Sequence, residues 1–466
     1  MKNTFLEAVF EKLSTKDLKQ LEKFVASPYF NGRPQVIRLL SILVSTRQQN
    51  QPIDKEMAFA ECFTEKPFDD QLWRLTLSQL YKLIEHWLAI RETKKNLSFP
   101  KLPLSKAYRQ MGLEKHYQRS INALQQNLER ANSRSAEYYE IEYQREWEKY
   151  AFLTSGKRTE NFNLQELSNT MDIAFIARKI RLACLAISHE AVFKTKYDLG
   201  LLPSVLRQIE SSPALLTFPP IALYYYCYLA LTENDEKHFD TLISSLTLNV
   251  VRLPPEDQRH LYLLAINFGI RQINASRPAY DRPVLELYKI GLENEFLIHH
   301  GRLSHFTFNN IVAIAVRIGE IQWVEDFINT YQVNLERRHR KVAYSLGMAR
   351  LCHATRDYKR ALLHLQNADY KDFINNIIAK ILQMKIYFET GEFEVLEAHL
   401  RNMKSYIQRK RTLGYHRSNY LTIIRFTQAL MELNPYDRAS KKVLLEEIKA
   451  AKKLTEKEWL LKMLNR

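Results

Sequence analysis

The sequence predicts an all-α protein: an N-terminal helical domain, then a helical hairpin, then an α-solenoid of repeated hairpins. Three observations carry that expectation. Only 11 glycines and 15 prolines interrupt 466 residues, too few for a chain broken into many short strands and tight turns. Apolar residues recur at three- and four-residue spacing over long stretches, which is the period of a buried helix face. In the second half, short turn segments recur at intervals near 35 residues, the length of a two-helix repeat unit.

Length agrees with this division. One hydrophobic core stops growing at roughly 250 to 300 residues, so a chain of 466 residues divides into two or three domains or extends as an array. The composition sets boundaries at residues 1–96 for the N-terminal helical domain, 97–200 for a linking hairpin and long helix, and 201–466 for the repeat array with a basic C-terminal region. A hydrophobic content of 46% is enough for a full core and argues against extended disorder.

In the first region, Ser14 caps a helix with Asp17 three residues later, and Leu18, Leu21, Phe24 and Val25 give it one apolar face. Ser27-Pro28 stops it. Residues 29–34 read as an aromatic-lined turn, and Pro34 opens the next helix, through about Val44. A long helix over residues 69–91 follows, expected to be buried through Leu72, Leu75, Leu77, Leu80, Leu83, Ile84, Trp87 and Leu88. The prolines of the segment 97–103 interrupt the helices and mark the first boundary.

Beyond it, Tyr117, Ile121, Leu124, Leu128 and Ala131 step by 4, 3, 4 and 3, a seam of about two heptads, too short for an independent coiled coil. Residues 132–135 turn the chain back. Tyr139, Tyr143, Trp147 and Tyr150 then line one face of a returning helix, expected as hairpin core. Glu140, Glu142, Glu146 and Glu148, interleaved with Arg145 and Lys149, read as a solvated face. The segment 215–231 holds Pro219, Pro220 and four tyrosines and reads as a turn followed by a buried helix.

The repeats are clearest at Ile318-Gly319-Glu320-Ile321, Thr355-Arg356-Asp357-Tyr358 and Thr390-Gly391-Glu392-Phe393, spaced by 37 and then 35 residues. Glu233-Asn234-Asp235 and the segment around Asn274 suggest two earlier turns. These units resemble the tetratricopeptide repeat family. In residues 345–368, Ala349 and Ala361 occupy the two small positions where paired helices approach, Asp357-Tyr358 stands at the turn, and Leu365 and Ala368 fill later apolar positions. Neighbouring units place Met384, Leu396, Val312 and Val324 at the small positions, and none has the closing proline. The resemblance covers roughly 150 to 250 residues and implies a right-handed array with a binding groove, not a particular activity. Residues 27–31 together with 406–417 also resemble a bacterial family of long helical proteins that carries no assigned activity.

Catalytic signatures are missing from the sequence. The two closest glycines, Gly291 and Gly301, are ten residues apart, which excludes the usual phosphate-binding loops and nucleophile elbows. Cys62, Cys184, Cys227 and Cys352 are widely spaced in apolar surroundings, as expected of buried thiols in a reducing cytoplasm. His299, His300 and His305 form the densest histidine group, and Glu336 with His339 is a lone Glu-x-x-His. Neither has the ligand spacing of a zinc or di-iron site, so no metal, cofactor or catalytic residue is assigned. The start of the chain does not read as a signal peptide, and no stretch is apolar enough to span a membrane, so a cytoplasmic location is expected.

Charge carries the functional content. Of the net +16, an excess of 10 falls in residues 401–466, which hold 16 Lys and Arg against 6 Asp and Glu. Lys404, Arg409, Lys410, Arg411, Arg417 and Arg425 are the candidate partner-binding residues, with Tyr406, Tyr415 and Tyr420 among them. The sequence therefore predicts a non-catalytic interaction scaffold or adaptor, binding an acidic protein or peptide through the repeat groove. Its alternative is nucleic-acid binding through the basic region, where cations neutralise phosphates and tyrosines stack on bases.

Overall fold

A computed structural model describes residues 5–49, 53–64, 66–155, 161–193, 195–233, 235–275, 277–366, 372–409, 416–434, 436–451, 454 and 456–465. Asn234, Ala368, Lys410, Arg411 and Tyr415, all singled out above, lie outside these residues. Among the described residues the fold is all-α, with 23 α-helices and one two-residue pair of antiparallel strands, β1 (Ile298–His299) and β2 (Arg302–Leu303). The chain divides into two units, residues 1–132 with 137–174, and residues 133–136 with 175–466.

The first unit contains α1 (Phe5–Lys12), α2 (Thr15–Val25), α3 (Pro34–Gln48), α4 (Lys55–Cys62), α5 (Asp70–Thr93), α6 (Lys101–Gln110), α7 (Glu114–Arg130), nearly all of α8 (Ala136–Ser155), and the start of α9 (Leu164–Val192). Helix α2 starts where its capping box dictates: the Asp17 amide donates to Ser14 Oγ, and the Ser14 amide donates back to Asp17 Oδ2. The turn after it is held by Asn31, whose side-chain amide donates to the Val25 carbonyl and whose Oδ1 accepts from the Arg33 amide. Above that turn Phe30 stacks on Phe24, ring centroids 4.2 Å apart. Leu21, Val25, Leu39, Leu40, Trp73, Leu80 and Ile84 form the common core of α1–α5.

Several expectations need correction in this unit. Leu75, expected on the buried face of α5, is 54% exposed. The proline segment does not stay irregular, because α6 begins at Lys101 with Pro103 in its first turn, where a missing N–H costs nothing. Nor are the acids of α8 all solvated. Glu148 is buried and accepts two hydrogen bonds from the Arg109 guanidinium of α6, at 2.7 and 3.2 Å. Glu146 is buried too, held by Arg145, Lys149 and Asn163 at 2.8 Å each. Trp147, between them in sequence, is instead 53% exposed, while Tyr139 is buried. Tyr117 of α7 stacks on Phe152 at 4.0 Å and its hydroxyl donates to the Glu148 carbonyl, so α7 and α8 pack antiparallel.

The second unit holds the rest of α9, then α10 (Leu202–Ser211), α11 (Pro219–Glu233), α12 (Glu236–Asn249), α13 (Pro255–Asn274), α14 (Asp281–Glu293), α15 (His305–Ile318), α16 (Ile321–Tyr331), α17 (Arg337–Ala354), α18 (Tyr358–Gln366), α19 (Phe373–Thr390), α20 (Phe393–Arg409), α21 (His416–Glu432), α22 (Arg438–Ala450) and α23 (Lys457–Leu464). Helices pair with the next in sequence, and α11 packs on α13, α15 on α17, and α17 on α19.

Three of the hairpins share one turn. Gly319, Arg356 and Gly391 are left-handed, with φ of 85°, 62° and 77°. In each, the following amide reaches back five residues: Glu320 to the Ala315 carbonyl, Asp357 to Cys352, and Glu392 to Tyr387, at 3.0, 2.8 and 2.9 Å. This closure satisfies carbonyls that the helix end would leave unpaired. The second helix then starts two residues after the left-handed one, at Ile321, Tyr358 and Phe393.

Small residues set how closely paired helices approach. Ala349 and Ala361 are fully buried where α17 meets α18. On α13, a Cβ at Gly269 would lie 2.1 Å from Val284 Cγ2 of α14, so only glycine fits that crossing. At the C-terminal end, Ile377, Ile381 and Met384 of α19 share a core with Trp459, Leu460 and Met463 of α23.

Candidate binding surfaces

Of the residues singled out for their charge, those that are described fall on two helices. Lys404 and Arg409 are exposed on α20, where Arg409 Nε donates to the Ser405 carbonyl at 3.2 Å. Arg425 is exposed on α21, 3.6 Å from Glu447 of α22, with its guanidinium 4.5 Å over the Phe426 ring. Arg417 is on α21, and Lys410 and Arg411 lie outside the described residues. Part of this charge is therefore answered by carboxylates of α22, as Lys449 is by Glu446 at 3.6 Å.

A second row of cations comes from the successive hairpins α15–α16, α17–α18 and α19–α20. Arg317 ends α15 and lies 3.4 Å from Asp281, a buried carboxylate whose pKa burial raises against the pull of Arg317. Arg350 is half-buried on α17 and forms no salt bridge among the described residues; burial lowers its pKa, with Glu456 opposing. Lys385 of α19 binds Glu456 at 2.9 Å. Burial acts to raise the pKa of Glu456, but the charge and hydrogen bond of Lys385, then the charges of Arg350 and Arg317, outweigh it and hold it low. One cation from each of three successive hairpins thus acts on a single carboxylate brought in by the chain's own C-terminal segment.

Beside it, Glu389 of α19 takes three donors. His353 Nε2 lies 3.1 Å from Oε1, the Trp459 indole donates to Oε1 at 2.7 Å, and the Tyr358 hydroxyl donates to Oε2 at 2.8 Å. Burial would raise this carboxyl, yet the His353 hydrogen bond and charge, with the indole and phenol, bring it down to about 2. Reading the sequence for charge runs missed this whole row. Its signal is periodic: Arg350 and Lys385 each stand six residues before a left-handed turn residue, Arg356 and Gly391.

The histidine group and the Glu-x-x-His motif, apart in sequence, meet in space. His305, first residue of α15, stacks on His339 of α17 with ring centroids 4.0 Å apart. Next to them opens a cleft of about 520 Å³ lined by His300, Arg302, Glu336, Arg337, Arg338 and Arg340. Glu336 precedes α17 and is bound by Arg338 at 2.8 Å, with Arg302 at 3.9 Å. Arg340 donates to the carbonyls of Val333 and Leu335, which fixes the 3₁₀ turn Gln332–Asn334 at the cleft wall. The strand pair is tied in by Asn334, whose amide donates to the Gly301 carbonyl at 3.1 Å. Among the described residues no three His, Cys, Asp or Glu side chains gather as a metal-holding group.

All four cysteines are buried and unpaired, Cys184 donating to the Tyr224 carbonyl at 3.1 Å. No helix among the described residues is long and apolar enough to cross a membrane. Comparison of the chain with protein-family models, with curated proteins and with solved structures found no match.

Proposed function

We propose that this chain is a non-catalytic interaction scaffold in which residues 201–466 form a tetratricopeptide-like α-solenoid that binds an acidic protein segment. What supports the architecture is the recurrence of one turn geometry at Gly319, Arg356 and Gly391, with first helices α15, α17 and α19 packed in succession. Stacking of this kind buries a continuous core and leaves the first helices to line a groove. The observation that carries the ligand class is Glu456, which lies under the charges of Lys385, Arg350 and Arg317 with Trp459 bonded beside it. An acidic residue next to an aromatic one is the chemistry the row accepts from its own chain, and a partner helix or extended peptide would offer the same.

The test is a tagged purification from native cells, divided into nuclease-treated and untreated halves, with wild type and Arg350→Glu side by side. Arg350 makes no salt bridge among the described residues, but its charge acts on Glu456, so Arg350→Gln is carried alongside and melting checks that both variants fold. The scaffold reading expects a protein partner that survives nuclease and is lost from Arg350→Glu. Recovery of nucleic acid, with all proteins lost on digestion, would instead favour the basic residues Lys404 and Arg409 as the working surface.

A further inference from the structure

We propose that the arginine cleft at the start of α17 is a binding site for the phosphate group of a small molecule, a function separate from partner binding along the repeats. Four guanidiniums, of Arg302, Arg337, Arg338 and Arg340, border one cleft of about 520 Å³, and Glu336 is the single carboxylate among its lining residues. The charge balance there is three positive in excess. Like charges gathered in a cavity repel one another, and a multiply charged anion between them turns that repulsion into attraction.

Several features select phosphate over other anions. Guanidinium forks match phosphate oxygens in pairs, and a phosphate concentrates two charges and three acceptors on one centre, as three or four converging arginines require. Among the described residues the backbone N–H groups of Arg337 and Arg338 have no acceptor, and Glu336 makes no side-chain cap, so the first turn of this 18-residue helix offers further donors to the same cleft. Arg340 is already committed to Val333 and Leu335, and its Nε is buried without a partner. It therefore sets the cleft wall, while the exposed Arg302, Arg337 and Arg338 are the ligand contacts. Glu336 is the resident anion, and an incoming phosphate takes Arg338 from it. No Phe, Tyr or Trp side chain lines the cleft, and its volume of about 520 Å³ has room for a small molecule.

Titration calorimetry of the full chain with inorganic pyrophosphate, glycerol 3-phosphate and citrate at constant ionic strength tests this. One site per chain is expected for pyrophosphate or for glycerol 3-phosphate, the tighter of the two identifying a diphosphate or a monoester. Citrate, a carboxylate of similar charge, is expected to bind at least about tenfold more weakly. Arg337→Ala and Arg338→Ala are each expected to weaken phosphate binding by about tenfold or more. Both side chains are exposed, and melting curves report whether either variant is damaged. Glu336→Gln removes the competing carboxylate and is expected to tighten binding severalfold. The proposal is overturned by no saturable heat with either phosphate, by citrate binding as tightly, or by arginine variants that bind like wild type.

Discussion

Glu389 is a carboxylate held by donors from three elements, His353 of α17, Tyr358 of α18 and Trp459 of α23. Its folded-state pKa of about 2 lies below its ordinary 4.5. The stabilisation it contributes is therefore present above pH 4.5, while His353 carries its charge, and is lost as pH falls toward 2. The difference corresponds to an effect on the order of 3 kcal/mol. In urea unfolding followed by tryptophan fluorescence, wild type is expected to weaken over that window more steeply than Glu389→Gln, which starts weaker at pH 7. Arg356 presents the opposite case, a residue in a conformation that suits glycine. Space is not the issue at the equivalent glycines, since a Cβ at Gly319 or Gly391 would meet nothing within 4 Å. The cost is backbone strain alone, so Arg356→Gly is expected to raise thermal stability by about 0.5 to 1 kcal/mol and Gly391→Ala to lower it by a similar amount. Sequence revealed the position of these turns because glycine marks two of them. It did not reveal Glu389, whose partners lie 31 to 70 residues away and leave no local pattern.

Helices were legible where the apolar residues repeat along one face, as in α2, α5 and α7. They were misread where a helix is covered on several sides. In α8, Glu146 and Glu148 are two residues apart and point to different sides, and each meets its own cationic partner in the interior. A charge-interleaved helix looks solvated in sequence because nothing local records Arg109 or Asn163 waiting opposite. The α13–α14 crossing shows the same dependence on a distant partner. Gly269 reads as a weak spot in a helix, yet Val284 occupies the volume that a side chain would need. Gly269→Ala is expected to cost about 1 to 3 kcal/mol through overpacking. Adding Val284→Ala returns part of that loss, so the double variant melts above the sum of the two singles; strict additivity would mean the helices simply move apart.

Over the whole molecule, the excess of positive charge was plain from composition, but its organisation was not. Runs of lysine and arginine near the C-terminus drew the eye, whereas the cations acting on Glu456 come one per hairpin and so never form a run. Exposed Lys404 and Arg409 act at longer range. Reversing both to glutamate is expected to change unfolding free energy by less than about 0.5 kcal/mol, while slowing association of an acidic partner in stopped-flow measurements at low salt. The difference between wild type and variant should close as salt is raised. Most of the second unit is assembled from helices adjacent in sequence, and there the order of synthesis and the order of packing coincide. The C-terminal segment departs from this, since Glu456 binds Lys385 and Trp459 bonds to Glu389 from 71 and 70 residues further on. At synthesis rates of about 5 to 20 residues per second, Glu389 and the apolar side of α19 leave the ribosome roughly 4 to 14 seconds before their cover. During that interval the nascent chain displays the surface that the finished protein keeps closed, and a chaperone has its one long opportunity to hold it.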